Sequence, residues 1–183
     1  MTEPTVSPKE KALKRVLIIS RLNGWSVIVF AALGSLATLV LGDLSGLVVG
    51  ILIGIGGWME LRGGSLLRRK NSDGMRLLVR SQLFLLAVIL VYCASRLGSF
   101  DDGTVLGNLT PDVEALLKEN GIDRADILPL VRAAFFAIYG GLALGTLLYQ
   151  GGMTLYYRSR IKLVTEALLL PPPPRVSHLP PSV

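Results

Sequence analysis

Four blocks of this chain carry no charge, and their lengths set the expected architecture. Leu22–Gly42 runs for 21 residues, Leu44–Met59 for 16, Ser81–Ser95 for 15 and Ala133–Tyr157 for 25. A hydrocarbon core of about 30 Å needs roughly 20 helical residues. The first and last blocks reach that length unaided. The third reaches it as Leu77–Leu97, with Arg80 and Arg96 near its ends, where long side chains snorkel to the interface. The second reaches it with Glu60 at the boundary. The pattern predicts an all-α integral membrane protein, a four-helix bundle of two antiparallel hairpins.

Polar punctuation divides the rest. Residues 1–15 form an N-terminal segment, and residues 16–97 hold the first three spans. Gly42-Asp43-Leu44-Ser45 reads as a tight outer turn near 43, and residues 62–76 as a basic inner loop around Asn71-Ser72-Asp73-Gly74. In the outer loop 98–127, Thr110-Pro111 begins a short helix and Asn120-Gly121 ends it. Asp123 can cap the fourth helix, whose span is 128–157. Residues 158–183 continue as helix and end in a proline-rich tail.

Composition agrees with a lipid environment. Only 17% of residues are charged and 51% are hydrophobic, against about 25% charged in an average soluble chain. The net charge of +6 would point to nucleic acid if it were clustered for that purpose, but its distribution follows the connections. Lys9, Lys11, Lys14, Arg15 and Arg21 precede the first span, and Arg62, Arg68, Arg69, Lys70, Arg76 and Arg80 follow the second. Arg158, Arg160, Lys162 and Arg175 follow the fourth, while the acids gather at Asp43 and in the 98–127 loop. Cytoplasmic connections are rich in Lys and Arg, so both termini are expected in the cytoplasm of a multi-pass inner (plasma) membrane protein of bacterial character, with no nucleic-acid partner. The first block is too long for a cleaved signal peptide and reads as a signal anchor. Asn108-Leu109-Thr110 matches a glycosylation triplet, but Pro111 follows directly and no modification is expected.

Small residues form two ladders. Gly42, Gly46, Gly50 and Gly54 recur every four residues, as do Ala133, Ala137, Gly141 and Gly145, 91 positions later. In lipid, helices associate through close backbone approach, which small residues permit. Both ladders are therefore expected to be packing faces, a glycine zipper within one protomer or between protomers. Arg21-x-Asn23-x-Trp25 also matches Arg80-x-Gln82-x-Phe84 at a separation of 59. Parallel duplication of a hairpin would produce both repeats, and so would the general frequency of small residues within spans.

Polar groups within spans are functional candidates by default. Asn23, Glu60, Gln82 and Gln150 fall near the inner ends of four different spans, with Arg21 and Arg80 close by. Three readings are open: Glu60 pairs with one of these arginines to fix helix register, the layer binds an ion, proton or lipid head group, or all are ordinary interfacial residues. Catalysis is poorly supported. The only histidine, His178, lies in the tail, and no Cys/His cluster suggests zinc. No glycine-rich loop follows a strand, and no cofactor is implied. The expectation is a non-catalytic accessory or scaffold subunit, acting through lipid and a protein partner or a second copy of itself. The alternative is an oligomeric transporter or channel using the layer around Glu60.

Overall fold

A computed structural model describes residues 7–103, 110–121 and 123–169. Among these residues there are five helices and no strands: α1 Pro8–Val40, α2 Leu44–Arg68, α3 Asp73–Gly98, α4 Pro111–Glu119 and α5 Arg124–Leu168. All but α4 are long and apolar enough to cross a membrane. The 33 residues of α1 and the 45 of α5 extend about 50 and 67 Å at 1.5 Å per residue. Both outreach a hydrocarbon core of about 30 Å. The glycosylation triplet's Asn108, the tail histidine and the proline run lie outside the described residues.

Local chemistry sets the helix ends. Ser7 caps α1, its hydroxyl accepting from the Lys9 amide at 3.4 Å, with Pro8 at the first helical position. At the far end Gly42 adopts a left-handed φ of +70°, and Asp43 N donates to the Thr38 carbonyl at 2.8 Å. That bond and the one from Gly42 N to Leu39 O, 3.2 Å, close a Schellman motif. The same two bonds end α2, from Asn71 N to Leu66 O and from Lys70 N to Leu67 O, 3.0 Å each. There Lys70 holds the left-handed position, φ 59°, without glycine's freedom. The expected loop 62–76 is consequently a correction: α2 continues to Arg68 and α3 starts at Asp73, leaving four residues between them. The uncharged run ends at Met59, but the helix continues unbroken through Glu60 to Arg68, with Arg62 and Arg68 exposed. The helix of the fourth span runs unbroken from Arg124 past residue 157 to Leu168.

Each of the four long helices packs on two neighbours, in the cyclic order α1, α2, α3, α5. Two glycine doublets seven residues apart on α2 permit close approach to both neighbours. A Cβ on Gly57 would lie 3.0 Å from the Gly24 carbonyl of α1, and one on Gly64 would lie 2.8 Å from Ser20 Oγ. Their neighbours in sequence face α3 instead: Gly56 packs beneath Leu85, and a Cβ on Gly63 would lie 2.9 Å from Leu78 and 3.1 Å from the Gly74 carbonyl. One glycine of each doublet thus admits α1 and the other admits α3. The principal apolar core lies toward the end where α1 begins and α5 finishes. It comprises Val16, Leu67, Met75, Leu78, Tyr157, Val164 and Leu168, closed by Lys9 Nζ on Glu166 at 3.0 Å.

Candidate functional site

Glu60 stands midway between the two doublets, on the helix that both neighbours approach most closely. The packing of Gly24 against Gly57 brings the adjacent Asn23 to it from α1, and the seating of Leu78 and Leu85 brings Gln82 from α3. Tyr157 reaches it from α5, diagonally across the bundle. Glu60, Gln82 and Tyr157 are 0% exposed. Tyr157 OH donates to Glu60 Oε1 at 2.7 Å, and Asn23 Nδ2 donates to Oε2 at 2.6 Å. Asn23 Oδ1 in turn accepts from Tyr149 OH at 2.7 Å.

Gln82 is the unusual member. Its amide comes up beside the Glu60 carboxyl, yet outside hydrogen-bonding geometry: neither Nε2 nor Oε1 has a partner. Gln150, 6% exposed, also leaves its Oε1 without a partner. Gln150 also lines an open apolar cavity of about 300 Å³, with Val27, Phe30, Val49, Ile53 and Leu85 among others.

The expected arginine partners are elsewhere. Arg21 is exposed on α1. Arg80 lines an open groove of about 480 Å³ with Trp58, Arg62, Asp73 and Arg76. Among the described residues no ion pair reaches Glu60, so the pairing with Arg21 or Arg80 is a correction. Each arginine precedes a polar residue of the layer by two positions, and a two-residue step on a helix points it some 200° away. Burying a carboxylate costs several kcal/mol unless a counter-charge repays it; here the compensation comes only from neutral donors.

Sequence reasoning missed Tyr149 and Tyr157. Their signal was spacing: Tyr157 is seven residues after Gln150, which puts the two on one helical face with Thr146 and Thr154, all four buried. The ladders divide differently from expectation. Gly42 ends α1 rather than packing, while Gly46 and Gly50 press on Thr38 and Ser35 of α1. A Cβ on Gly54 would lie 3.7 Å from Ala31 Cβ, an ordinary contact. On α5, a Cβ on Gly141 or Gly145 would meet nothing within 4 Å, and Ala133 and Ala137 are exposed. Within this chain the two ladders do not meet. Among the described residues no group of three or more His, Cys, Asp or Glu side chains is placed to hold a metal ion. No family model, curated protein or solved structure matches the chain.

Proposed function

We propose that this chain is a small multi-pass inner-membrane protein of non-catalytic type, an accessory or scaffold subunit that works by packing against a second membrane protein or another copy of itself. The observation that carries this reading is the outward face of α5. Its ladder of Ala133, Ala137, Gly141 and Gly145 has the four-residue spacing of a close-packing helix, yet it lies open along the side of the bundle. The most apolar 18-residue window of α5 has 0% of its residues buried. Lipid alone does not call for small residues there; a closely approaching backbone does. In this reading the chain forms two antiparallel hairpins with both termini in the cytoplasm, where the Lys- and Arg-rich connections belong. No nucleic acid takes part.

The test is the size of the assembly in gentle detergent. Gly141→Leu with Gly145→Leu fills open space and should leave the chain folded. The native protein should run larger than one chain, and the double variant should run as a single chain. A native protein that is already monomeric, or a variant of unchanged size, overturns the reading. Orientation is tested by single-cysteine labelling in a Cys93→Ser background: Asn120→Cys should react from outside intact cells, and Ser72→Cys only after permeabilisation. The transport alternative is favoured by one observation, a buried carboxyl without a counter-charge, and that carboxyl has a more specific consequence.

A further inference from the structure

We infer that Glu60 and Gln82 form a binding site for a single proton, which the Glu60 carboxyl takes up and releases inside the bundle. The inference is independent of the α5 face and stands on how the bonds around Glu60 are distributed. Both oxygens accept from neutral donors, Oε1 from Tyr157 and Oε2 from Asn23, at 2.7 and 2.6 Å. The groups facing the carboxyl from each packed helix are few. α1 presents the Asn23 amide, α3 presents the Gln82 amide, and α5 presents the Tyr157 phenol, with Tyr149 behind Asn23. The two phenols are the titratable neighbours, and none of these groups is a cation. On α2 itself, Arg62 is exposed and lies over the Trp58 ring, 5.2 Å from its centre.

Gln82 supplies the second, independent observation. It is fully buried, it adjoins the carboxyl, and both of its amide atoms lack partners. An amide is the neutral side chain that can serve both protonation states: its N–H donates to a carboxylate, and its carbonyl oxygen accepts the O–H of the acid. Turning the Gln82 amide about its last bond exchanges the two roles. Asn23 cannot do this, because it is engaged at both ends, donating to Glu60 and accepting from Tyr149. In the acid form the proton lies on a Glu60 oxygen and points to Gln82 Oε1. In the base form it has returned to water, and Gln82 Nε2 donates in its place. No other covalent bond changes, and no co-reactant is needed.

Infrared difference spectra of the full-length protein in lipid nanodiscs, recorded between acid and alkaline buffers, test this directly. A protonated-carboxyl band should be present at the acid end, lost at the alkaline end, and displaced in heavy water. Glu60→Gln should abolish that component; should this variant fail to fold, Glu60→Asp assigns the band by shifting it. Gln82→Leu, which keeps a side chain of similar size but removes the acceptor, should raise the band's frequency and move the pH of half-loss. A component that no Glu60 variant alters, or a Glu60 band present or absent at every pH, overturns the site. So does a band unmoved by Gln82→Leu. Loss of the band on adding sodium at constant pH makes a metal cation the occupant and overturns the assignment to a proton.

Discussion

The two ends of this bundle are built on different principles. Toward the Lys9–Glu166 end, Val16, Leu67, Met75, Leu78 and Tyr157 are each at most 1% exposed, and side chains interlock as in a soluble protein. Toward the other end, Phe30 is 74% exposed, Val91 69% and Leu148 69%, although these stretches are the more uniformly apolar. Burial of apolar surface drives folding only where the alternative is water. In lipid an exposed leucine loses nothing, so helices there need approach each other only where backbone packing or polar contacts reward it. Glu60 and its neighbours lie where the packed region gives way to the open one.

The largest expected contrast is in side-chain truncation. Leu67→Ala or Leu78→Ala should cost about 2–5 kcal/mol, the usual range for a fully buried leucine whose site collapses only partly. Leu148→Ala, on the open half of α5, should change the unfolding free energy by less than about 0.5 kcal/mol. Reversible unfolding in mixed micelles would measure both. Equal losses would mean that the open half is covered by something in the folded state, and the contrast between the ends would fall with it.

A finer contrast lies among the glycines. A Cβ at Gly74 would stand 2.6 Å from the Gly63 carbonyl, a backbone atom that cannot swing aside. Gly74→Ala should therefore destabilise by about 1–3 kcal/mol, as overpacking does. Gly145→Ala enters open space and removes a poor helix former, so it should be neutral or stabilising by up to about 1 kcal/mol. A loss at Gly145 in the isolated chain would show that the α5 ladder already packs within the protomer.

These contrasts mark where the sequence was legible. Four apolar blocks announced four long helices, because the length needed to cross lipid is a one-dimensional property. The depth of Asn23, Glu60 and Gln82 was legible for the same reason. Azimuth was not. Of the ladder Gly42–Gly54, Gly46 and Gly50 do pack on α1, but the paired glycines at 56–57 and 63–64 make close contacts on both sides, since α2 is flanked by two helices and needs two faces at once. Neighbours in sequence similarly suggested Arg21 and Arg80 for Glu60, whereas Tyr157, 97 residues away, donates to it. Opposite charge pointed to an arginine; geometry chose a phenol.

At the junction itself, Tyr157→Phe removes one donor to a buried acceptor and should cost about 1–3 kcal/mol. Combined with Glu60→Gln, the two losses should be non-additive, because the variants share one bond. Arg80→Gln should be silent in either background, within about 0.5 kcal/mol. Rescue of Glu60→Gln by Arg80→Gln would mean that the native Glu60 and Arg80 are paired, against this geometry.

The smallest expected effect comes from the open end's own fastening. Asp43 Oδ1 accepts from the Ser45 amide at 3.1 Å, the Ser45 hydroxyl at 2.5 Å and the Gly46 amide at 3.1 Å. Its Oδ2 pairs with Arg96, which also donates to Ser45 Oγ at 2.8 Å. The turn between α1 and α2 is thereby tied to the end of α3. The Ser45 hydroxyl, followed by the Gly46 amide and the Arg96 charge, holds the Asp43 carboxyl below its ordinary value of 3.8. Because the folded value is depressed, the contribution is complete above the ordinary value and is lost as pH falls through the folded one. Asp43→Ala, which removes cap and charge together, should cost about 1 kcal/mol. Asp43→Asn keeps an oxygen to cap α2 but gives up the charge, and for a pair this exposed that is about 0–1 kcal/mol. The gap between the native protein and Asp43→Asn should shrink with added salt and close in strong acid, while the gap between Asp43→Asn and Asp43→Ala stays constant. If Asp43→Asn is as damaging as Asp43→Ala at neutral pH, the charge rather than the cap fastens this end, and α3 is joined to the turn more firmly than an exposed ion pair allows.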